Sequence, residues 1–299
     1  MLGDPLETPW TDRIRRGETP SPDELADHLL EMHRRNAGFT EEVAGRSRDA
    51  DGRTSYEWLA EVVDPAVHRR VLDLGCGSGV LLQHCAQTFG DVVELSGIDL
   101  SADELALARE RTAEFDIDLH RGRAQDLHMF ETESVDVVLC HWALTLMSPL
   151  GEVVDEVLRV LKPGGLFAAI VDGDSGRSSV YTRVDEVIFE HVNRRYPHYD
   201  GVAMGDAAAR SARGLTAVMA DRAPGSEVEI TPSLVALRGP ATKLARYAAG
   251  FYYAAYVLTN EQATLMLKDV ETAIDDCSAG GNACFEMPIR RLVVKKSDC

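Results

Sequence analysis

The chain has 299 residues, 45% hydrophobic and 27% charged, enough for one or two domains that bury a core without disulfides or structural metals. That composition excludes disorder, collagen-like repetition and a disulfide scaffold. Its 31 basic and 49 acidic residues give a net charge of −18, which argues against nucleic acid or an anionic membrane as partner, because both require a basic face.

Taken in chain order, the first twenty residues are polar, carry Gly and Pro, and read as a loose arm. They contain no apolar run, so no secretory signal is expected. Ser21-Pro22-Asp23-Glu24 is a capping box with Pro at the first helical position, and it predicts a helix to about Arg35. Its apolar stripe is Leu25, Leu29 and Met32, and Asn36-Ala37-Gly38 ends it. Residues 39–53 read as a loop. A second box, Thr54-Ser55-Tyr56-Glu57, starts a short helix bearing Leu59 and Val63.

Short apolar runs then alternate with amphipathic helices, the pattern of βαβ units and a parallel sheet. The strands are Val71–Leu74, Val92–Ile98, Ile117–Leu119, Val135–Leu139 and Leu166–Val171, with helices near 79–89, 101–114 and 150–161. Lys162-Pro163-Gly164-Gly165 is a stop signal for the third helix. Residues 175–199 break the rhythm as an insertion with helical spacing. Further elements are a helix at 206–220, a strand near Glu227–Leu237, two helices over 240–277 and a last strand at Phe285–Lys296. Tyr252 and Tyr256 are expected four apart on one helix. The reading divides the chain into N-terminal arm and lid helices, 1–62, and a core, 63–299, with insertions at about 175–199 and 240–277.

Cys76, Cys85, Cys140, Cys277, Cys284 and Cys299 form no C-x-x-C pair and no zinc spacing, so no metal is expected. No apolar stretch approaches the ~20 residues of a membrane helix. A reducing cytoplasm is the expected compartment.

The informative segment is Val71-Leu72-Asp73-Leu74-Gly75-Cys76-Gly77-Ser78-Gly79, a strand joined to a helix by a Gly-rich turn. Such a turn allows close backbone approach, and the helix N-terminus adds free N–H groups. Asp99 ends the second strand 20 residues after Gly79, a placement that suits ribose hydroxyls. The site therefore reads as nucleoside-binding. The dinucleotide pattern G-x-G-x-x-G fails, with Val80 or Leu82 at its last position, and no G-K-[ST] follows. Asp73 would repel a pyrophosphate and suit an ammonium or sulfonium group.

Together with SGIDLS, SVDVVLCHWAL and RVLKPGG, this segment resembles the class I S-adenosylmethionine-dependent methyltransferases over about residues 71–172. The resemblance implies a Rossmann-like α/β fold with a seven-stranded, mostly parallel sheet whose last strand is antiparallel. It implies S-adenosyl-L-methionine as cofactor, with Asp73, Gly75, Cys76 and Gly77 at the methionine moiety. Asp99 would hold the ribose hydroxyls, with Leu100 beside the adenine. Arg123 replaces the acid often found after the third strand, leaving backbone of Ala124 or the side chain of Gln125 for that role. Cys140 and His141 would border the methionine and the acceptor, with His141 as candidate general base.

The expected acceptor is a small-molecule metabolite methylated on nitrogen or oxygen in specialised metabolism. Its pocket would use His33 on the lid helix, Trp142, and the insertion residues Arg194, Arg195, Tyr196, His198 and Tyr199. The alternatives are an RNA or protein methyltransferase and a non-catalytic S-adenosylmethionine-binding protein. No basic stripe supports a nucleic-acid substrate, no membrane partner is expected, and a homodimer is left open.

Overall fold

The computed structural model describes residues 6–202, 204–277 and 283–298. The first five residues of the expected arm, and Cys299, lie outside the described residues. Four helices come first: α1 (Pro9–Arg16), α2 (Pro22–Arg35), α3 (Phe39–Ala44) and α4 (Ser55–Ala60). The alternating region follows with β1 (Arg70–Leu74), α5 (Val80–Phe89), β2 (Glu94–Asp99), α6 (Ala102–Arg111), β3 (Ile117–Arg121), β4 (Val135–His141), α7 (Leu150–Val160) and β5 (Leu161–Asp172). Then come α8 (Ser179–Arg195), α9 (Ala212–Arg222), β6 (Glu227–Gly239), α10 (Ala241–Gly250), α11 (Asn260–Asp276) and β7 (Ala283–Lys295).

The strands form one seven-stranded sheet in the order β3-β2-β1-β4-β5-β7-β6. β1 to β5 pair in parallel, and β7 runs antiparallel to β5. The order reverses direction between β1 and β4, a topological switch point, and open α/β sheets bind ligands at the carboxyl ends of strands there. Asp73 pairs with Gly97 on one side and Leu139 on the other. Strand alternation therefore puts Asp73, Leu139 and His141 on one face. Leu72, Leu74, Val138 and Cys140 point to the other face, where they join one apolar core.

The chain divides into two compact units. The sheet unit comprises Arg53–Gly173, Met204–Ser233 and Ile289–Cys299. α7 shows why its core holds: Leu150, Val153, Val154 and Val157 repeat at helical spacing and are all buried. Burying each such side chain contributes roughly 1.5–3 kcal/mol.

The helical unit comprises Met1–Gly52, Asp174–Ala203 and Leu234–Pro288. Here the expected loose arm is corrected. Residues 9–16 form α1, capped reciprocally by Thr8 and Thr11, with Trp10 and Ile14 fully buried. Trp10 stacks on His28 of α2 at 4.3 Å and meets Tyr199 edge-on at 6.4 Å. Arg15 Nε donates to the Val257 carbonyl at 3.2 Å. The expected loop at 39–53 is also corrected, since it contains α3 and an antiparallel bridge from Arg48 to Ala236.

Smaller departures concern boundaries. β2 starts at Glu94, because 90–92 form a 3-10 turn. α7 ends at Val160, and β5 starts at Leu161, ahead of the Pro-Gly-Gly segment, with a register irregularity opposite Val135 and Val137. Tyr252 and Tyr256 do not share an α-helix: α10 stops at Gly250, and Tyr253–Val257 is a 3-10 turn.

Candidate functional site

The site sits in the sheet unit at the carboxyl end of β1, where the Gly-rich turn leads into α5. Gly75 and Cys76 both donate backbone N–H groups to the Ile98 carbonyl, at 2.8 and 3.0 Å, which ties the turn to β2. Gly75 has φ +74°, and a Cβ there would lie 2.6 Å from the Ala143 Cβ. Both the backbone sign and the close neighbour therefore require glycine. Gly75→Ala is expected to lose about 2 kcal/mol from strain and overpacking, read as a lower urea midpoint.

Asp99 organises the turn from β2. Its Oδ2 accepts the Gly77 N–H at 2.9 Å, and its Oδ1 accepts the Ser101 N–H at 2.8 Å. Asp73 stands behind the turn and is 1% exposed. Its Oδ1 has no hydrogen-bond partner among the described residues. Burial, with the Asp99 charge as a second contribution, pushes its pKa up to about 8. A third carboxylate, which the sequence reading missed, is buried Glu104 in the first turn of α6. A Cβ on Gly77 would lie 4.0 Å from its Oε2. The turn is thus ringed by carboxylates, an environment that favours a cationic ligand group and disfavours a phosphate.

The other expected cofactor contacts divide by side chain and backbone. The Cys76 thiol is buried and packs toward Gly97, where any Cβ would be 2.9 Å from Sγ. Burial raises its pKa. The Cys140 side chain is fully buried in the core on the face opposite Asp73. Burial raises its pKa as well. Leu100 is half-buried, and its carbonyl accepts from Arg121 Nε at 3.3 Å. Ala124 belongs to the core, Arg123 is exposed, and Gln125 donates its amide to the Ser148 carbonyl at 2.9 Å.

His141, the last residue of β4, lies on the Asp73 face two positions beyond Leu139. Its Nε2 is 2.8 Å from the Ser55 hydroxyl oxygen, and its ring stacks on Tyr56 at 3.9 Å. Burial pulls its pKa down to about 3. A base weakened in this way has little drive to take a proton near neutral pH. Ser55 and Tyr56 were legible only as the start of α4. Trp142 follows with φ +54°, a conformation rare for a bulky residue and often found near functional sites. Its ring centroid is 5.2 Å from that of His141.

The expected acceptor residues of the helical unit do not converge. Arg194 pairs with Glu190 on the exposed surface of α8, and Arg195 is exposed. Tyr196 and Tyr199 are core residues. His198 Nε2 donates to the Ile14 carbonyl at 2.6 Å. α8 ends at Arg195, so the run leaves the helix partway, with Arg194 and Arg195 exposed and Tyr196 and Tyr199 buried. His33 is half-buried on α2. Among the described residues no group of three His, Cys, Asp or Glu could hold a metal, and no helix is long and apolar enough to cross a membrane.

Residues 71–165 match the family model of a methyltransferase domain. The chain is 35% identical over 112 residues to a ubiquinone biosynthesis O-methyltransferase of Bordetella avium, covering 36% of this chain and 45% of that protein. It is 34% identical over 150 residues to a malonyl-[acyl-carrier protein] O-methyltransferase of Pectobacterium atrosepticum, covering 49% and 56%. The chain thus spans about half the length of these curated relatives. Among solved structures, the [4+2]-cyclase SpnF shares the fold at 19% identity and TM-score 0.55, covering 93% of this chain and 98% of that one.

Proposed function

We propose that this chain, whose residues 71–165 match the family model of a methyltransferase domain, is a class I S-adenosylmethionine-dependent methyltransferase that transfers a methyl group to a nitrogen or oxygen of a small-molecule metabolite, in specialised metabolism. The observation that carries this reading is Asp73, a buried carboxylate at the end of β1 with an oxygen lacking a hydrogen-bond partner among the described residues. Such a group is costly unless the site's natural ligand brings a cation. The cofactor supplies an ammonium and a sulfonium, the second being the electrophile that hands over the methyl. A nucleophile's lone pair would form the new bond to carbon as the carbon–sulfur bond breaks toward sulfur, giving the methylated acceptor and S-adenosylhomocysteine, with any proton on the attacking atom passing to water.

The chain's own residues bind and orient. Gly75 and Gly77 bring backbone to the ligand without a Cβ between. Asp99 holds the turn and faces the ribose hydroxyls. In-line placement of the acceptor supplies most of the rate effect, because the sulfonium needs little acid–base help. The carboxylate ring, with no basic stripe, favours a small metabolite over RNA.

Calorimetry tests the reading. The protein is expected to bind S-adenosylhomocysteine and not NAD. Binding of the ammonium should also strip the Asp73 proton. Asp73 has its pKa raised to about 8 in the free protein, so below that pH it must ionise as the cation arrives. Affinity should then rise as pH rises toward 8, by up to about tenfold per pH unit, and level off above it. Proton release is read by repeating the titration in buffers of different ionisation enthalpy. Tight NAD binding, with no response to S-adenosylhomocysteine, would refute the function.

A further inference from the structure

We propose that Ser55 fixes the imidazole of His141 as its Nδ1–H tautomer, so that His141 donates a hydrogen bond to an oxygen of the methyl acceptor and removes no proton from it. The inference rests on the methyltransferase reading for the acceptor, but the tautomer follows from hydrogen-bond accounting in the sheet unit alone.

Ser55 is fully buried at the first helical position of α4. Its hydroxyl oxygen has one hydrogen-bond partner among the described residues, His141 Nε2 at 2.8 Å. Two arrangements fit that distance. If Nε2–H donates to the serine oxygen, the serine O–H is left buried with no acceptor. If the serine O–H donates to Nε2, the hydroxyl is satisfied, and the donor left over is Nδ1–H, on a residue that keeps 9% exposure where Ser55 keeps none. An unsatisfied buried donor carries the full desolvation cost, whereas a spare lone pair on a donating hydroxyl costs little. The second arrangement therefore prevails. A neutral imidazole carries one proton, so that proton sits on Nδ1.

Nδ1 makes no hydrogen bond among the described residues, and His141 retains 9% exposure at the carboxyl edge of β4. It is on the Asp73 face of the sheet, one strand over from the Gly-rich turn. The ring cannot easily swing, because Tyr56 stacks on it at 3.9 Å and Ser55 holds its far edge. Burial keeps the ring neutral, so it stays a single-proton donor across the physiological range. A fixed N–H beside the methyl-transfer site suits an acceptor with a carbonyl, carboxylate or phenolic oxygen at or next to the methylated atom. Ser55 is then a positioning residue, acting through His141.

The proton can be seen directly. In 15N-labelled protein saturated with S-adenosylhomocysteine, the long-range proton–nitrogen spectrum at pH 7 is expected to show a protonated Nδ1 and an unprotonated Nε2 for His141. Ser55→Ala should lose the Nδ1–H signature, and Ser55→Thr, which restores a hydroxyl, should recover it. Benzoate titrated into the wild-type sample should shift the Nδ1–H proton downfield. Benzylamine, whose ammonium only donates, should not. An Nε2–H tautomer in the wild type, an unchanged tautomer in Ser55→Ala, or a response to benzylamine in place of benzoate would overturn the proposal. S-adenosylhomocysteine affinity, measured on the same samples, reports separately on the methyltransferase reading.

Discussion

Asp99→Ala is expected to weaken S-adenosylhomocysteine binding by at least a hundredfold while the sheet unit stays folded. The carboxylate holds the Gly77 and Ser101 N–H groups and is the candidate anchor for two ribose hydroxyls. Hydrogen bonds to a charged group contribute roughly 1.5–3 kcal/mol each, so losing both hydroxyl contacts removes about 3 kcal/mol or more, and loosening the turn adds to that. Removing this neighbouring charge should also let the Asp73 pKa fall from its raised value, since Asp99 is its second cause after burial. The proton released on binding at pH 7 would shrink accordingly. Calorimetry gives both numbers, and circular dichroism checks the fold. Unchanged affinity would show that Asp99 does not face the ligand.

A second large effect is expected from acid, and it originates in the helical unit. His28 is fully buried, with Nδ1 at 2.9 Å from the Thr8 hydroxyl and its ring against Trp10. Burial pulls its pKa from 6.5 down to about 4. Above pH 6.5 the histidine is neutral in both folded and unfolded chains, and its contribution is fully present. As pH falls from 6.5 toward 4, the unfolded chain binds a proton that the folded chain resists, so stability drops. The total loss over that window is about 3 kcal/mol. His28→Leu should start about 1 kcal/mol less stable at pH 7, through the lost Thr8 bond, yet lose less on acidification. Urea titrations at pH 7 and 4.5 compare the two. Parallel pH slopes in wild type and variant would remove His28 as the cause.

What could be read in the sequence was what is local. α2 and α4 announce themselves through capping boxes whose partners are three residues apart. β1, β4 and β5 show as near-continuous apolar runs because both faces are covered, whereas β3, at the sheet edge, shows only as Ile117 and Leu119. The Gly-rich turn and Asp99 were legible because strand, turn and acid follow one another at fixed spacing. α1 was not. Its box uses Thr11 where the usual pattern has Glu or Gln, and only Trp10 and Ile14 mark its buried face. His141 and Ser55 are 86 residues apart, so no spacing rule joins them. Along Arg194–Tyr199, closeness in the chain does not bring the side chains to one face, since Arg194 and Arg195 are exposed while Tyr196 and Tyr199 are buried.

The helical unit is assembled from three separated stretches of chain, and this has a consequence during synthesis. Once α1 has left the ribosome, Arg15 must wait for the Val257 carbonyl, 242 residues later. At about 5–20 residues per second, that delay is roughly 12–50 s. Throughout it, Trp10 and Ile14 have no completed core to enter, and the nascent helix displays them to solvent and to chaperones.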